Sequence, residues 1–262
     1  MKPPALVEPP HLAVDLKTLR LPTVLEHWER QAQEALRARR TSPEYLADLM
    51  HLEVHHRREK RIRRLIQEAR FPVLKTLDSF DFNAQPGLQR DTLLDLAQGR
   101  FVASHENVLL IGGVGTGKTH LAIALGVSCC QQERRVRYFT AAELTNDLVE
   151  AKHQGRLSRR MEYLARFDVV VLDELGYVPF DKQGADLLFG LVSKVYERKS
   201  LIVTTNLPFA RWSEVFLDPT AAAAVIDRIV HHATILKIEG ESYRLRSAQG
   251  TRRKPRPEEK PS

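Results

Sequence analysis

Eight residues constrain this chain more than any others: Gly112-Gly113-Val114-Gly115-Thr116-Gly117-Lys118-Thr119. They fit the phosphate-loop pattern G-x-x-x-x-G-K-[ST], which works only between a strand and a helix. Asn107-Val108-Leu109-Leu110-Ile111 is a short apolar run ending at glycine, as a buried parallel strand requires. From Thr119 to Leu125 the residues are mostly good helix formers. Glycines let backbone N–H groups turn inward around a phosphate, and a new helix offers its positive end to the same anion. In such a loop Lys118 reaches the terminal phosphates and the Thr119 hydroxyl ligates Mg²⁺. A chance match is a roughly one-in-a-hundred event at ordinary glycine usage, and the flanking strand and helix make it rarer. The stretch from Gly112 to His120 is read as a nucleotide site.

A phosphate loop does not say what happens to the phosphate. Asp168-Val169-Val170-Val171-Leu172-Asp173-Glu174 adds that, because an apolar strand ending in two acids puts carboxylates where such sheets meet their ligands. Asp173 is expected to hold Mg²⁺, and Glu174 to polarise the water that attacks the γ-phosphate. A small-molecule kinase has no need of the second acid, since its substrate supplies the hydroxyl. Asn206, closing the next apolar strand, could orient the same water, or serve only as a turn residue before Pro208. Arg228 and Arg244 have no evident local role. An arginine beside a γ-phosphate accelerates hydrolysis by orders of magnitude; the plainer alternative is a solvated surface residue.

Around this centre the chain alternates strands and helices, with further strands at 135–139, 201–204 and 234–238, as in an α/β domain with a parallel sheet. Before it, an apolar stripe through Leu21, Leu25, Trp28, Ala32 and Leu36 predicts one helix. Ser42-Pro43-Glu44 predicts a second, capped by the serine and running to about Arg70. Its second half holds Arg57, Arg58, Lys60 and Arg61 in the densest basic run, a candidate phosphate-backbone contact or an ordinary solvated face. The expected organisation is a small all-helical domain over 1–76, an α/β nucleotide-binding domain over 77–249 and a basic unstructured tail over 250–262.

The net charge of +7 follows this division. Residues 1–80 hold 15 Lys/Arg against 11 Asp/Glu, residues 248–262 hold 5 against 2, and the stretch between balances at 20 against 20. A neutral nucleotide domain with basic ends suits nucleic-acid contact through the appendages, or a solubilising surface bias. No apolar run approaches a membrane span, and the first residues lack the apolar stretch of a signal peptide. The two cysteines, Cys129 and Cys130, offer neither a disulfide framework nor zinc spacing, so a reducing cytoplasm is expected. Neighbours on a helix point about 100° apart, so neither His55-His56 nor His231-His232 is expected to bind metal, and Mg²⁺ is the one ion anticipated.

The sequence resembles the AAA+ ATPases, in their DnaC-like branch, and most of all the IstB-type helper ATPases of insertion-sequence transposition. The resemblance runs from about Leu16 to Arg246. It is carried by Lys75 to Phe82, Gly112 to His120, Leu172 to Tyr177, Thr205 to Phe209, Asp227 to Ala233 and Gly240 to Arg246. It implies that Gly112–Thr119 are the Walker A loop, Asp173 and Glu174 the Walker B pair, and Asn206 the first sensor. Arg228 would be an arginine finger acting on ATP bound by the adjacent subunit, and Arg244 a second sensor in its own subunit. Phe80 and Phe82 would approach the adenine. An extra helical element between Ala141 and Arg166 would turn Lys152, Arg156, Arg159 and Arg160 to DNA.

The expected protein is therefore an Mg²⁺-dependent ATPase that helps a DNA transposase. It would form a homo-oligomer with ATP between subunits, on duplex DNA and with little sequence preference, and hydrolysis would remodel the complex. The alternative within the same branch is a loader of a replicative helicase, marked by a preference for single strands. A non-hydrolysing ATP-switched module is the third reading, and the intact acid pair argues against it.

Overall fold

A computed structural model describes residues 9–216, 218–240 and 242. Arg244, most of the block from Gly240 to Arg246 and the basic tail lie outside the described residues. The chain divides into two units, one ending at Arg64 and one beginning at Leu65.

The first unit is helical: α1 (Leu12–Thr18), α2 (Pro22–Arg37) and most of α3 (Ser42–Ala69). Leu16, Val24 and Leu49 form its small core, with Leu21, Leu25, Trp28 and Tyr45 packed against them. A buried acid organises it. Glu53, 3% exposed, accepts the backbone N–H groups of Thr23 and Val24 at 2.8 and 3.1 Å, satisfying the first turn of α2. Arg57 donates to the other carboxylate oxygen at 2.6 Å. The cap of α3 differs from the sequence reading. Glu44 reaches back to the N–H and hydroxyl of Thr41, so Thr41 and not Ser42 takes the capping position.

The second unit is built on five parallel strands: β1 (Asn107–Gly112), β2 (Val136–Thr140), β3 (Val169–Leu175), β4 (Ser200–Thr205) and β5 (Ala233–Ile238). Their order is β2-β3-β4-β1-β5. Alternate strand residues face opposite layers. Val108, Leu110, Val169, Val171 and Ile202 pack with α4 (Arg90–Ala97), α5 (Arg100–Ala103) and α6 (Lys118–Gln131). Leu109, Val170, Leu172, Leu201 and Val203 pack on the other side. There they meet α7 (Ala141–His153), α8 (Leu157–Leu164), α9 (Lys182–Val195), α10 (Ser213–Phe216) and α11 (Pro219–Val230). Burial on both faces is why the strands read as unbroken apolar runs. The division falls before residue 76 because Leu65, Ala69 and Phe71 belong to the α6-side core. Among the described residues no helix is long and apolar enough to cross a membrane.

Candidate nucleotide site

β1 ends at Gly112 and α6 begins at Lys118, so the glycine-rich stretch is the turn between them. Gly115 and Gly117 have φ of 78° and 98°, the left-handed region where a side chain is strained. A Cβ on Gly117 would also lie 2.7 Å from Phe80 Cε2. The buried Thr116 hydroxyl pins the loop by donating to the Gly113 carbonyl at 2.9 Å. Lys118 Nζ donates to the carbonyls of Gly112 and Gly113 at 2.9 and 2.6 Å, which holds its ammonium over the loop. A cavity of about 320 Å³ opens here, lined by Lys75, Gly115, Gly117, Lys118, Thr119 and His120 among others.

Opposite the loop stands Asp173, 1% exposed. Three hydroxyls from three elements hold it: Tyr138 of β2 at 2.6 Å, Thr204 of β4 at 2.5 Å and Thr119 of α6 at 3.1 Å. Burial, and then the bond and charge of Asp173, push the Tyr138 phenol well up, so it remains a donor. Thr119 and Asp173 present two hard oxygens in contact, the donor type Mg²⁺ prefers, so this pair fits that ion. Glu174 differs sharply from its neighbour. The β3–β4 register slips between Leu172 and Leu175, and Glu174 takes φ of 60° with its side chain exposed. Its N–H donates to Thr204 Oγ1 at 2.9 Å, the same hydroxyl that donates to Asp173. The bulge thus turns one acid inward and the next outward, a form of strain that clusters at functional sites.

Beside the loop, Phe80 packs edge-on against Phe82 and His120, with centroids 5.1 and 5.2 Å away. His120 Nε2 donates to the Thr76 carbonyl at 2.9 Å, and burial holds its pKa below the ordinary imidazole value. A second cavity of about 190 Å³ lies here, lined by Phe80, Ala84, Gln85, Thr116, Gly117 and His120 among others. Gln85 is the residue that sequence reasoning missed. It is 2% exposed, and neither of its amide atoms has a partner among the described residues. An orphaned donor–acceptor pair beside a phosphate loop matches the edge of adenine. Its one sequence signal was position, just after the Phe80-Asp81-Phe82 segment.

The other expected residues separate. Asn206 follows β4 directly, half-buried at the strand end that carries Asp173 and Glu174. Arg228 sits near the end of α11, on the sheet face opposite α6. Its neighbour Ile229 accepts a bond from Asn107 at the far end of β1. Its guanidinium donates to Ala224 O at 3.0 Å and covers the Phe189 ring at 4.8 Å. Lys152, Arg156 and Arg159 are exposed around the α7–α8 turn. Arg160, half-buried, lines the same cleft as Arg156 and Arg159 and is tied to Asp147 at 2.5 Å, with its guanidinium over Tyr163 at 4.9 Å. Arg57, Arg58, Lys60 and Arg61 are all exposed, and Arg57 is tied to Glu53 and to the Arg20 carbonyl.

The adjacent histidines His231 and His232 directly follow α11, with ring centroids 4.1 Å apart. With Glu197 they bring three donor atoms within 4.8 Å of one another, and His232 pairs with Glu197 at 3.4 Å.

Comparison with known proteins gives a consistent result. Residues 14–251 match the family model described as IstB-like ATP binding protein. An insertion sequence IS21 protein of Pseudomonas aeruginosa, named for ATP binding, is 40% identical over 235 residues, covering 90% of this chain and 89% of its own. An IS232 counterpart from Bacillus thuringiensis subsp. berliner is 34% identical over 235 residues, 90% of this chain and 94% of its own. Among solved structures, AMPPCP-bound DnaA from Aquifex aeolicus superposes with a TM-score of 0.54 at 19% identity, over 67% of this chain and 54% of that one. DnaI gives 0.52 at 21% identity, over 69% of this chain and 92% of its own. The chain spans about half the length of the DnaA structure, and these likenesses show the AAA+ P-loop fold.

Proposed function

The chain belongs to the family of IstB-like ATP-binding proteins, and on that premise we propose that it is an ATP-hydrolysing helper of a DNA transposase, assembling on duplex DNA. The observation that carries hydrolysis, beyond binding, is the acid pair at the β3 bulge. Asp173 is buried under three hydroxyls, and Glu174 is exposed one residue later. In this reading Lys118 exchanges the Gly112 and Gly113 carbonyls for the terminal phosphates. Thr119 and Asp173 would hold Mg²⁺, whose charge would offset the negative charge of the phosphates. Glu174 accepts a proton from the attacking water, which Asn206 orients. Gln85 reads the base beside Phe80 and His120. Arg228 completes the site of a neighbouring subunit, and Arg244 serves as a sensor in its own. Lys152, Arg156 and Arg159 meet DNA phosphates, with Arg58, Lys60 and Arg61 of the helical unit as a further basic face. The free, buried thiols of Cys129 and Cys130, pushed up to about 12 by burial, suit a reducing cytoplasm.

The test is binding of wild type and Lys118→Ala to labelled duplex and single-stranded DNA, with and without ATP. The proposal expects cooperative, ATP-dependent binding to duplex that the variant loses. A preference for single strands would favour a helicase loader, and equal binding without ATP would break the link between the ATP site and DNA.

A further inference from the structure

The edge strand β2 carries an arginine that the ATP site does not use. Arg137 is 7% exposed, donates to the Glu68 carbonyl at 2.8 Å and covers the Phe139 ring at 5.1 Å. Its Nε–H is buried with no partner. A guanidinium buried with an unsatisfied donor is costly unless something arrives to meet the charge. Arg137 lines a cleft of about 470 Å³ together with Arg70, Arg135, Tyr163, Phe167 and Glu68. Arg70 and Arg135 are exposed, and neither has an ion-pair partner among the described residues. Arg135 instead spreads over Phe167 at 5.6 Å. Three arginines thus line the cleft with one carboxylate, Glu68.

The cleft does not stand alone. Tyr163 also lines the adjoining cleft of about 480 Å³, where Arg156, Arg159 and Arg160 stand with two carboxylates, Glu150 and the Arg160 partner Asp147. A path of alternating cations and aromatic rings therefore runs from Arg70 and Arg135, across Tyr163, to the α7–α8 turn. Cations spaced along such a path suit the phosphates of a nucleic-acid backbone. Guanidiniums offer donors alone, which suits phosphate oxygens and carries no sequence information.

We infer that the Arg70–Arg135–Arg137 cleft is a phosphodiester-binding site that extends the DNA face beyond the α7–α8 turn. The inference rests on the DNA-binding reading above. Each phosphate contact contributes about 0.9 to the slope of log affinity against log salt. The experiment measures anisotropy of a labelled duplex between 50 and 200 mM salt, with ATP, for three proteins. These are wild type, Arg70→Gln with Arg135→Gln, and Arg156→Gln with Arg159→Gln. Both replaced cations of the cleft are exposed, so thermal unfolding of the full chain serves as the check on folding. The inference expects the Arg70/Arg135 pair to weaken binding at least about tenfold at 100 mM salt and to flatten the slope by about 1.8. An unchanged slope in that pair, with a loss in the Arg156/Arg159 pair, would overturn the cleft and leave the DNA reading standing. Unchanged DNA binding with altered self-association would overturn it in favour of a contact between copies. No duplex binding by wild type would overturn both.

Discussion

Arg228→Ala is the sharpest test of assembly as a condition for hydrolysis. Gly112 closes β1 at the nucleotide end, whereas Arg228 stands beside Asn107 at the strand's other end. Five residue steps of strand separate these levels by roughly 17 Å, and the sheet itself intervenes, since α6 and α11 lie on opposite faces. An arginine cannot reach its own phosphate loop across that distance. In the proposed assembly, Arg228 acts on the site of another subunit. Arginines supplied in this way are worth on the order of 10³ or more in hydrolysis rate. Within its own subunit the side chain forfeits only one bond to Ala224 and one ring contact with Phe189, a cost of order 1 kcal/mol. The variant should therefore fold and bind ATP as wild type does while losing turnover. The assay is steady-state phosphate release from the variant, from Lys118→Ala, and from their mixture. In the mixture Lys118→Ala subunits supply the arginine to intact sites, so activity should return in part and rise with protein concentration. Lost ATP affinity in Arg228→Ala alone, or an inactive mixture of subunits that do co-assemble, would refute the reasoning.

Two further outcomes follow from buried polar groups. Gln85→Leu should preserve triphosphate binding but lower the preference for ATP over GTP about tenfold or more in competition binding, since it removes the donor–acceptor pair facing the base; unchanged discrimination would remove Gln85 from base recognition. In the helical unit burial opposes the Glu53 charge, yet the bonds from Arg57, Val24 and Thr23 hold its carboxyl below the ordinary 4.5. A depressed carboxyl contributes stability that is complete above its unfolded value and lost as pH falls through the folded one. Trp28 fluorescence in a Trp212→Phe background should therefore show acid unfolding of this unit starting below about pH 4.5, and Glu53→Gln should lower stability at pH 7 by about 1–3 kcal/mol. A variant as stable as wild type at neutral pH would contradict the role given to that acid.

Much of this protein was legible in its sequence wherever the determining interactions are local. The phosphate loop was legible because strand, glycines and helix are contiguous, and left-handed φ at Gly115 and Gly117 is a property of those residues alone. The helix opening at Thr140 is set just as locally, its cap being closed three residues later by Glu143. At the start of α3 two adjacent hydroxyl residues compete for one cap. Glu44 decides between them by reaching Thr41, which a pattern centred on Ser42 does not register.

Tertiary structure decided everything that depends on which strands lie side by side. Asp173 could be named from its strand, but not that Tyr138 and Thr204 would close over it, since β3 lies between β2 and β4 only in the folded order. Nor could the sequence tell that Arg160 is tied to Asp147 while Arg159 stays exposed, or that Arg70 and Arg135, 65 positions apart, share a cleft. Local preferences act over a few residues of backbone and are written in order along the chain. Partnerships between distant side chains arise only when burial of the apolar strands fixes the sheet, and that choice is made by the whole core at once.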